Sequence, residues 1–126
     1  MKFVHVATRT TELEKAIAFY EALGLTHSRT LELTAHKATL AFMTRPAGDF
    51  AIELVHNWER DTPYEGGERF GHFAFDVTDL DETYARLLAA GAQEVGRPPA
   101  AHPTGSGPRI AFVADPDGNW IELIER

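Results

Sequence analysis

The sequence predicts a mixed α+β fold in which one unit, a strand followed by a helix and three further strands, occurs twice. Three observations predict it: the two halves of the 126-residue chain resemble each other, each half has one segment of helical apolar spacing, and short β-branched and aromatic stretches flank that segment. The length is that of a single domain, and the 44% hydrophobic share is that of an ordinary globular protein. We therefore expect one domain, residues 1–126, made of two modules.

The two halves align when the segment starting at Phe3 is placed over the one starting at Phe70. Identical residues then recur at eight positions: Phe3/Phe70, His5/His72, Ala7/Ala74, Thr11/Thr78, Leu13/Leu80, Ala18/Ala85, Ala22/Ala89 and Gly24/Gly91. Further along, Ile52-Glu53-Leu54 matches Ile121-Glu122-Leu123 in the same order. This indicates module 1 at about residues 1–57, module 2 at about 70–126, and a linker at about 58–69.

The first module begins with a strand and a helix. Thr11 with Glu14 three residues later is a helix-capping pattern, and Gly24 stands where a left-handed residue ends a helix. Residues of high β-propensity predict four strands: Phe3–Thr8, His27–Leu33, Ala38–Thr44 and Phe50–Asn57.

The second module repeats this order. Thr78 with Asp81 predicts the helix start, Gly91 its end, and the sequence Asp-Pro-Asp-Gly at 115–118 a turn between the last two strands. The segment Gly96–Pro108, rich in proline and glycine, is expected to be a long mobile loop. Strands are predicted at four places: Phe70–Val77, Gln93–Val95, Ile110–Ala114 and Asn119–Glu125.

Charge and composition exclude several classes of function. The chain has 19 acidic and 12 basic residues, a net charge of −7, and no cluster of lysines or arginines, so neither nucleic acid nor an anionic membrane is expected as a partner. The absence of cysteine excludes disulfides and thiolate nucleophiles. No apolar run approaches the roughly 20 residues that cross a bilayer, and no signal-peptide pattern precedes the first strand. We expect a cytoplasmic protein.

Two histidines and two glutamates take equivalent places in the two modules. His5 and His72 lie on the first strand of their module, and Glu53 and Glu122 on the last. Each glutamate stands between aliphatic residues of an alternating strand, so its side chain points away from the packed face. Singly, such residues are ordinarily half-buried polar or solvent-facing groups. Together, two imidazoles and two carboxylates suit a divalent ion such as Ni, Zn, Co or Mn.

The sequence resembles glyoxalase I (lactoylglutathione lyase) of the vicinal oxygen chelate superfamily, over nearly its whole length. The most specific segments are IELVHNW at 52–58, FGHFA at 70–74 and AFVADPDGNWIEL at 111–123. The resemblance implies tandem βαβββ modules that form a cupped mixed sheet. It also implies that His5, Glu53, His72 and Glu122 hold one divalent metal ion per site. The short chain is more similar to the compact, often nickel-activated class than to the longer zinc class, so Ni is favoured, with Zn, Co or Mn as alternatives.

The reaction implied by the resemblance is the isomerisation of the hemithioacetal of methylglyoxal and a thiol, usually glutathione, to an S-lactoyl thioester through a metal-stabilised enediolate. Glu122 is implied as the base, with Glu53 as its counterpart on the opposite face. Arg9 and Asn57 match family positions that bind the thiol peptide, although a solvated arginine and a strand-ending asparagine are the alternatives. A homodimer is also implied. In it, His5 and Glu53 of one subunit would share a metal site with His72 and Glu122 of the other.

Two other functions stay open. The loop at 96–108 contains no lysine, although the family often places basic residues there, and only Arg97 and Arg109 could replace them. A second metalloenzyme function would therefore keep the metal and act on another thiol adduct or another small oxygenated substrate. A third would be a non-catalytic protein of the bleomycin-resistance type that sequesters a ligand.

Overall fold

The computed structural model describes all residues from Met1 to Arg126, and these form two compact units, Met1–Glu65 and Gly66–Arg126. Each unit contains one four-stranded sheet and one α-helix in the order strand, helix, three strands. The predicted α+β class with βαβββ modules is confirmed. That the two units work as one domain remains a prediction.

The first unit builds its sheet in the order β1-β4-β3-β2, with β1 parallel to β4 and the other pairs antiparallel. A short 3₁₀ turn, Thr34–His36, connects β2 to β3. The elements are β1 His5–Arg9, α1 Leu13–Leu23, β2 Thr26–Leu33, β3 Ala38–Thr44 and β4 Ala51–Asn57.

The second unit repeats the arrangement in the order β5-β8-β7-β6, again with only the first and last strands parallel. Its elements are β5 Phe73–Val77, α2 Leu80–Ala89, β6 Gln93–Ala100, β7 Ile110–Ala114 and β8 Trp120–Glu125. Neither helix of the chain is long and apolar enough to span a membrane.

In each unit the helix covers one face of the sheet, and strand alternation sends every second side chain to that face. In the first unit the fully buried aromatic pair Phe19 and Tyr20 of α1 supplies the helix side of this core. In the second unit Leu80 and Leu87 do the same from α2. The other face of each sheet carries the candidate polar residues, and in the first unit also an apolar cluster of Leu40, Phe42, Ala51 and Val55.

Both helices begin one residue later than the sequence predicts. The residue before α1 is Glu12 and not Thr11. The backbone N–H of Glu12 donates a hydrogen bond to the Thr10 hydroxyl at 3.2 Å. The residue before α2 is Asp79, whose carboxylate accepts from the Glu82 backbone N–H at 2.9 Å. A carboxylate is at least as good a cap as a hydroxyl, so Asp79 replaces Thr78 in that role. Gly91 and Gly24 do adopt the left-handed conformation after each helix.

The predicted loop at 96–108 is partly wrong, because β6 continues to Ala100. Pro98 and Pro99 have no backbone N–H, but they lie on the outermost strand of the sheet and where its register against β7 shifts, between Arg97 and Ala100. Gly96, with a φ of 74°, and two register shifts make the pairing with β7 irregular. The first strands are also shorter than predicted, starting at His5 and Phe73.

Asp115 fixes the turn that leads into β8. Its side chain is 1% exposed and accepts hydrogen bonds from the backbone N–H groups of Asp117 and Asn119, both at 2.9 Å, and from the Asn119 amide at 2.8 Å. Gly118 completes the turn with a φ of 95°. The turn residues thereby set the start of the strand that carries Glu122.

Asp115→Ala is expected to lower the free energy of unfolding by about 2 kcal/mol, because it leaves several partly buried donors without an acceptor. Urea denaturation measures this loss. The exposed Asp61→Ala, which removes a carboxylate from a loop, is the matched control. Equal stability of the two variants would contradict the structural role of Asp115.

An exposed ion pair connects α2 to Arg109, the residue before β7. Arg109 donates to both carboxylate oxygens of Asp81, at 2.9 and 3.1 Å, and lies 3.5 Å from Glu125. The hydrogen bond from Arg109 lowers the pKa of Asp81. Because the folded-state pKa is depressed, the pair stabilises the fold above the ordinary carboxylate range and loses that effect as the pH falls through the folded value.

Asp81→Asn is therefore expected to lower the melting temperature slightly at pH 7, because exposed pairs contribute little. The difference from the wild type should shrink as the pH falls through the lowered pKa of Asp81, and vanish once that carboxyl is protonated. Melting curves across this pH range, with Asp61→Asn as the control, measure it. A difference that persists unchanged in acid would rule out the ionised pair as its cause.

Candidate functional site

The first histidine–glutamate pair is formed across the parallel strands β1 and β4. His5 begins β1, and Glu53 lies two residues into β4, opposite Ala7. Nε2 of His5 is 2.9 Å from Oε2 of Glu53. The imidazole is 41% exposed and the glutamate 13%, so the ring edge faces solvent while the carboxylate lies deeper in the sheet face.

The second pair repeats this geometry in the other unit. His72 directly precedes β5, and Glu122 lies on the parallel strand β8, opposite Ala74. Nε2 of His72 is 3.0 Å from Oε2 of Glu122, with exposures of 39% and 18%. The sequence predicted equivalent positions for the two pairs, and each unit brings its own histidine and glutamate into contact.

A buried phenylalanine lies beside each pair. Phe42 is the cross-strand partner of Glu53, and Phe112 that of Glu122. The phenylalanine and histidine rings meet edge to face in both units, with centroids 6.2 Å apart at His5 and 5.2 Å apart at His72. Such aromatic contacts restrict the tilt of a ring. The packing therefore limits how each imidazole can turn.

An arginine covers each phenylalanine from the next strand. The guanidinium of Arg29 is 4.3 Å from the Phe42 ring centre, and that of Arg97 is 5.6 Å from the Phe112 ring centre. Arg29 is not among the residues predicted from the sequence, although the repeat places it 68 residues before Arg97. These arginines place positive charge on the same sheet face as the carboxylates. Arg109, by contrast, is engaged by Asp81 and Glu125.

The two predicted substrate-binding residues lie on the same sheet face as the first pair. Arg9 ends β1 opposite Val55 and is exposed. Asn57 ends β4, four residues beyond Glu53, which is about 13 Å along a strand. Its side-chain oxygen accepts a hydrogen bond from the hydroxyl of Tyr64 at 2.9 Å, a contact that the sequence analysis did not anticipate.

The donor set fits a divalent metal ion. Each unit offers one imidazole nitrogen and one carboxylate oxygen that already converge to hydrogen-bond distance on an accessible face. These are the borderline and hard donors that Ni, Zn, Co and Mn prefer. No group of three or more histidine, aspartate or glutamate side chains in the chain is arranged to hold a metal ion. One unit supplies two of the four predicted ligands.

Comparison with known proteins identifies the family. The model of the Glyoxalase/Bleomycin resistance protein/Dioxygenase superfamily matches residues 2–123, and the chain belongs to this superfamily. It is 39% identical to a lactoylglutathione lyase of Haemophilus influenzae, over 99% of this chain and 93% of the relative. It is 36% identical to the Salmonella typhimurium lactoylglutathione lyase, over 99% and 93%.

Solved structures give the same result. Glyoxalase I from Zea mays matches with a TM-score of 0.89 and 33% identity, over 99% of this chain and 44% of the maize chain. This chain thus spans less than half the length of the maize protein. The trypanothione-dependent glyoxalase I of Leishmania major matches with a TM-score of 0.80 and 29% identity, over 99% and 86%. The predicted resemblance to glyoxalase I, and with it the lyase class, is confirmed.

Proposed function

We propose that the protein is a metal-dependent glyoxalase I that converts the hemithioacetal of methylglyoxal and glutathione to S-lactoylglutathione, as part of methylglyoxal detoxification in the cytoplasm. The observation that carries the proposal is the duplicated pair, in which the same two donor types converge at equivalent strand positions of both units. Full-length similarity to bacterial enzymes named lactoylglutathione lyase supports the reaction.

His5, Glu53, His72 and Glu122 would hold the metal ion, for which Ni is favoured and Zn, Co or Mn are alternatives. When bound, such an ion stabilises negative charge on the two adjacent oxygens of the substrate and so acidifies the carbon between oxygen and sulfur. The protein itself would contribute two carboxylates, one of which would take a proton from the substrate and return it.

Glu122 is proposed as the group that moves the proton. Its carboxylate would take the proton from C1 of the hemithioacetal and return it to C2, so that the product is an isomer of the substrate and no redox partner is needed. Glu53 would occupy the corresponding position on the opposite face. Both glutamates are mostly buried in the sheet face, which limits competing water.

We further propose a homodimer in which His5 and Glu53 of one subunit share a metal ion with His72 and Glu122 of its partner. Each unit offers two ligands, so a four-ligand site combines one unit of each kind. The resemblance to glyoxalase I, a family that usually draws these units from two chains, supports a site shared between subunits. Isologous pairing of two chains then yields two equivalent sites.

The thiol of the proposed substrate is glutathione. Arg9 and Asn57 are proposed to bind the peptide part of glutathione, because both present hydrogen-bond donors on the same face as Glu53. The similarity to a trypanothione-dependent glyoxalase I and the absence of lysine from the loop at 101–109 favour testing a second thiol alongside it. That second candidate keeps the metal and the proton transfer unchanged.

Glu122→Gln is expected to lower kcat by about a thousandfold, the usual size of a lost general base, and to weaken metal binding. Thioester formation followed by its ultraviolet absorbance and titration calorimetry with Ni²⁺ measure the two effects. Glu14→Gln, an exposed glutamate on α1 at the other face of the sheet, is the control and should change neither. Full activity of Glu122→Gln would refute its role as the base.

Shared sites can be tested by mixing inactive variants. His5→Ala and Glu122→Ala should each be inactive alone, but their heterodimer would contain one intact site and one doubly damaged site. About a quarter of wild-type activity should return after random exchange of a two-fold dimer. Demonstrated subunit exchange without recovered activity would contradict metal ligands drawn from two chains.

A further inference from the structure

The segment after β4 is folded around one arginine. The backbone N–H of Arg60 donates to the carbonyl of Asn57 at 3.1 Å, closing a turn. Its guanidinium donates from Nε to the Thr62 carbonyl at 2.9 Å and from Nη2 to the Pro63 carbonyl at 2.8 Å. These three contacts shape residues 57–63 into a closed loop.

The same guanidinium holds the ring of Tyr64. Its central carbon lies 4.2 Å from the centre of that ring, which is a cation–π contact. With one face of the ring covered, the phenol hydroxyl is directed back toward the end of β4, where it donates to Oδ1 of Asn57 at 2.9 Å. Arg60 thus positions Tyr64, and Tyr64 reaches Asn57.

In this contact Asn57 presents the oxygen end of its amide to Tyr64. An asparagine side chain has one accepting oxygen and one nitrogen with two donor hydrogens, and it can present either end after a flip. Because the Tyr64 hydroxyl occupies the oxygen, the nitrogen remains for a ligand. A donor at this place matches a carbonyl or carboxylate oxygen, which is what the peptide part of a thiol such as glutathione carries.

We propose that Tyr64 is a specificity-determining positioning residue, which orients the Asn57 amide so that its nitrogen binds a carbonyl or carboxylate oxygen of the thiol peptide. The inference rests on the proposed function, since it takes Asn57 as a contact of that thiol. Arg9, a fixed positive charge on the neighbouring strand, favours the same anionic or carbonyl-bearing ligand.

Tyr64→Phe removes only the hydroxyl. The variant should raise the KM for the glutathione hemithioacetal about fivefold, the size of one hydrogen bond, and leave kcat within about twofold. Asn57→Ala should raise KM by at least as much. The double variant should behave like Asn57→Ala alone, because Tyr64 has nothing left to orient.

Further variants separate orientation from stability. Asn57→Asp keeps the oxygen that Tyr64 binds but replaces the donor nitrogen, so its KM should rise as in Asn57→Ala. Tyr84→Phe, a hydroxyl removed from α2 in the other unit, is the matched control and should leave KM unchanged. A lower melting temperature for Tyr64→Phe with an unchanged KM would overturn the inference, as would effects of Tyr64→Phe and Asn57→Ala that multiply in the double variant.

Binding without turnover distinguishes this inference from the proposed function. The affinity of the nickel-loaded protein for S-methylglutathione, measured by calorimetry, should fall about fivefold in Tyr64→Phe. If the wild type binds this probe but forms no thioester, the proposed reaction fails while the orientation of Asn57 is still tested. If the wild type turns over and Tyr64→Phe binds and reacts as the wild type does, only the inference fails.

Discussion

The candidate site depends on the parallel pairing of the first and last strands within each unit. β1 lies beside β4, and β5 beside β8, so residues far apart in sequence become neighbours. The His5–Glu53 and His72–Glu122 contacts form across these pairs. A parallel pair needs a long crossover, which here consists of the helix and the other two strands. The chain between the paired strands therefore serves to bring one nitrogen and one oxygen donor together.

Strand alternation explains why the open-face position of both glutamates could be predicted from sequence. A strand directs alternate side chains to opposite faces. Because Ile52 and Leu54 point to the helix-covered face, Glu53 between them points to the other face. The duplication then supplied the second pair and the βαβββ order. The helix starts were misplaced because Thr11 and Glu12, like Thr78 and Asp79, are adjacent residues that can each precede a helix, and their selection depends on local hydrogen bonds.

The contacts around the pairs could not be predicted because they depend on irregular backbone. Arg29 faces Phe42 only because the register of β2 shifts between His27 and Arg29. Tyr64 reaches Asn57 only because the intervening turn closes on Arg60. Neither follows a fixed period, so neither leaves a pattern in the sequence. The contacts that surround the two histidine–glutamate pairs are thus less predictable than the strand positions of the pairs.

The two prolines in β6 have a consequence for the protein at high concentration. An unpaired outer strand offers a row of free N–H and carbonyl groups on which another chain can add a strand and begin to aggregate. Neighbouring residues of a strand direct their N–H groups to opposite edges, so Pro98 and Pro99 together remove one donor from that row, and the shifts of register against β7 make the strand irregular. This edge of the second sheet is therefore a poor template for further strands, which directs any association of chains to other surfaces.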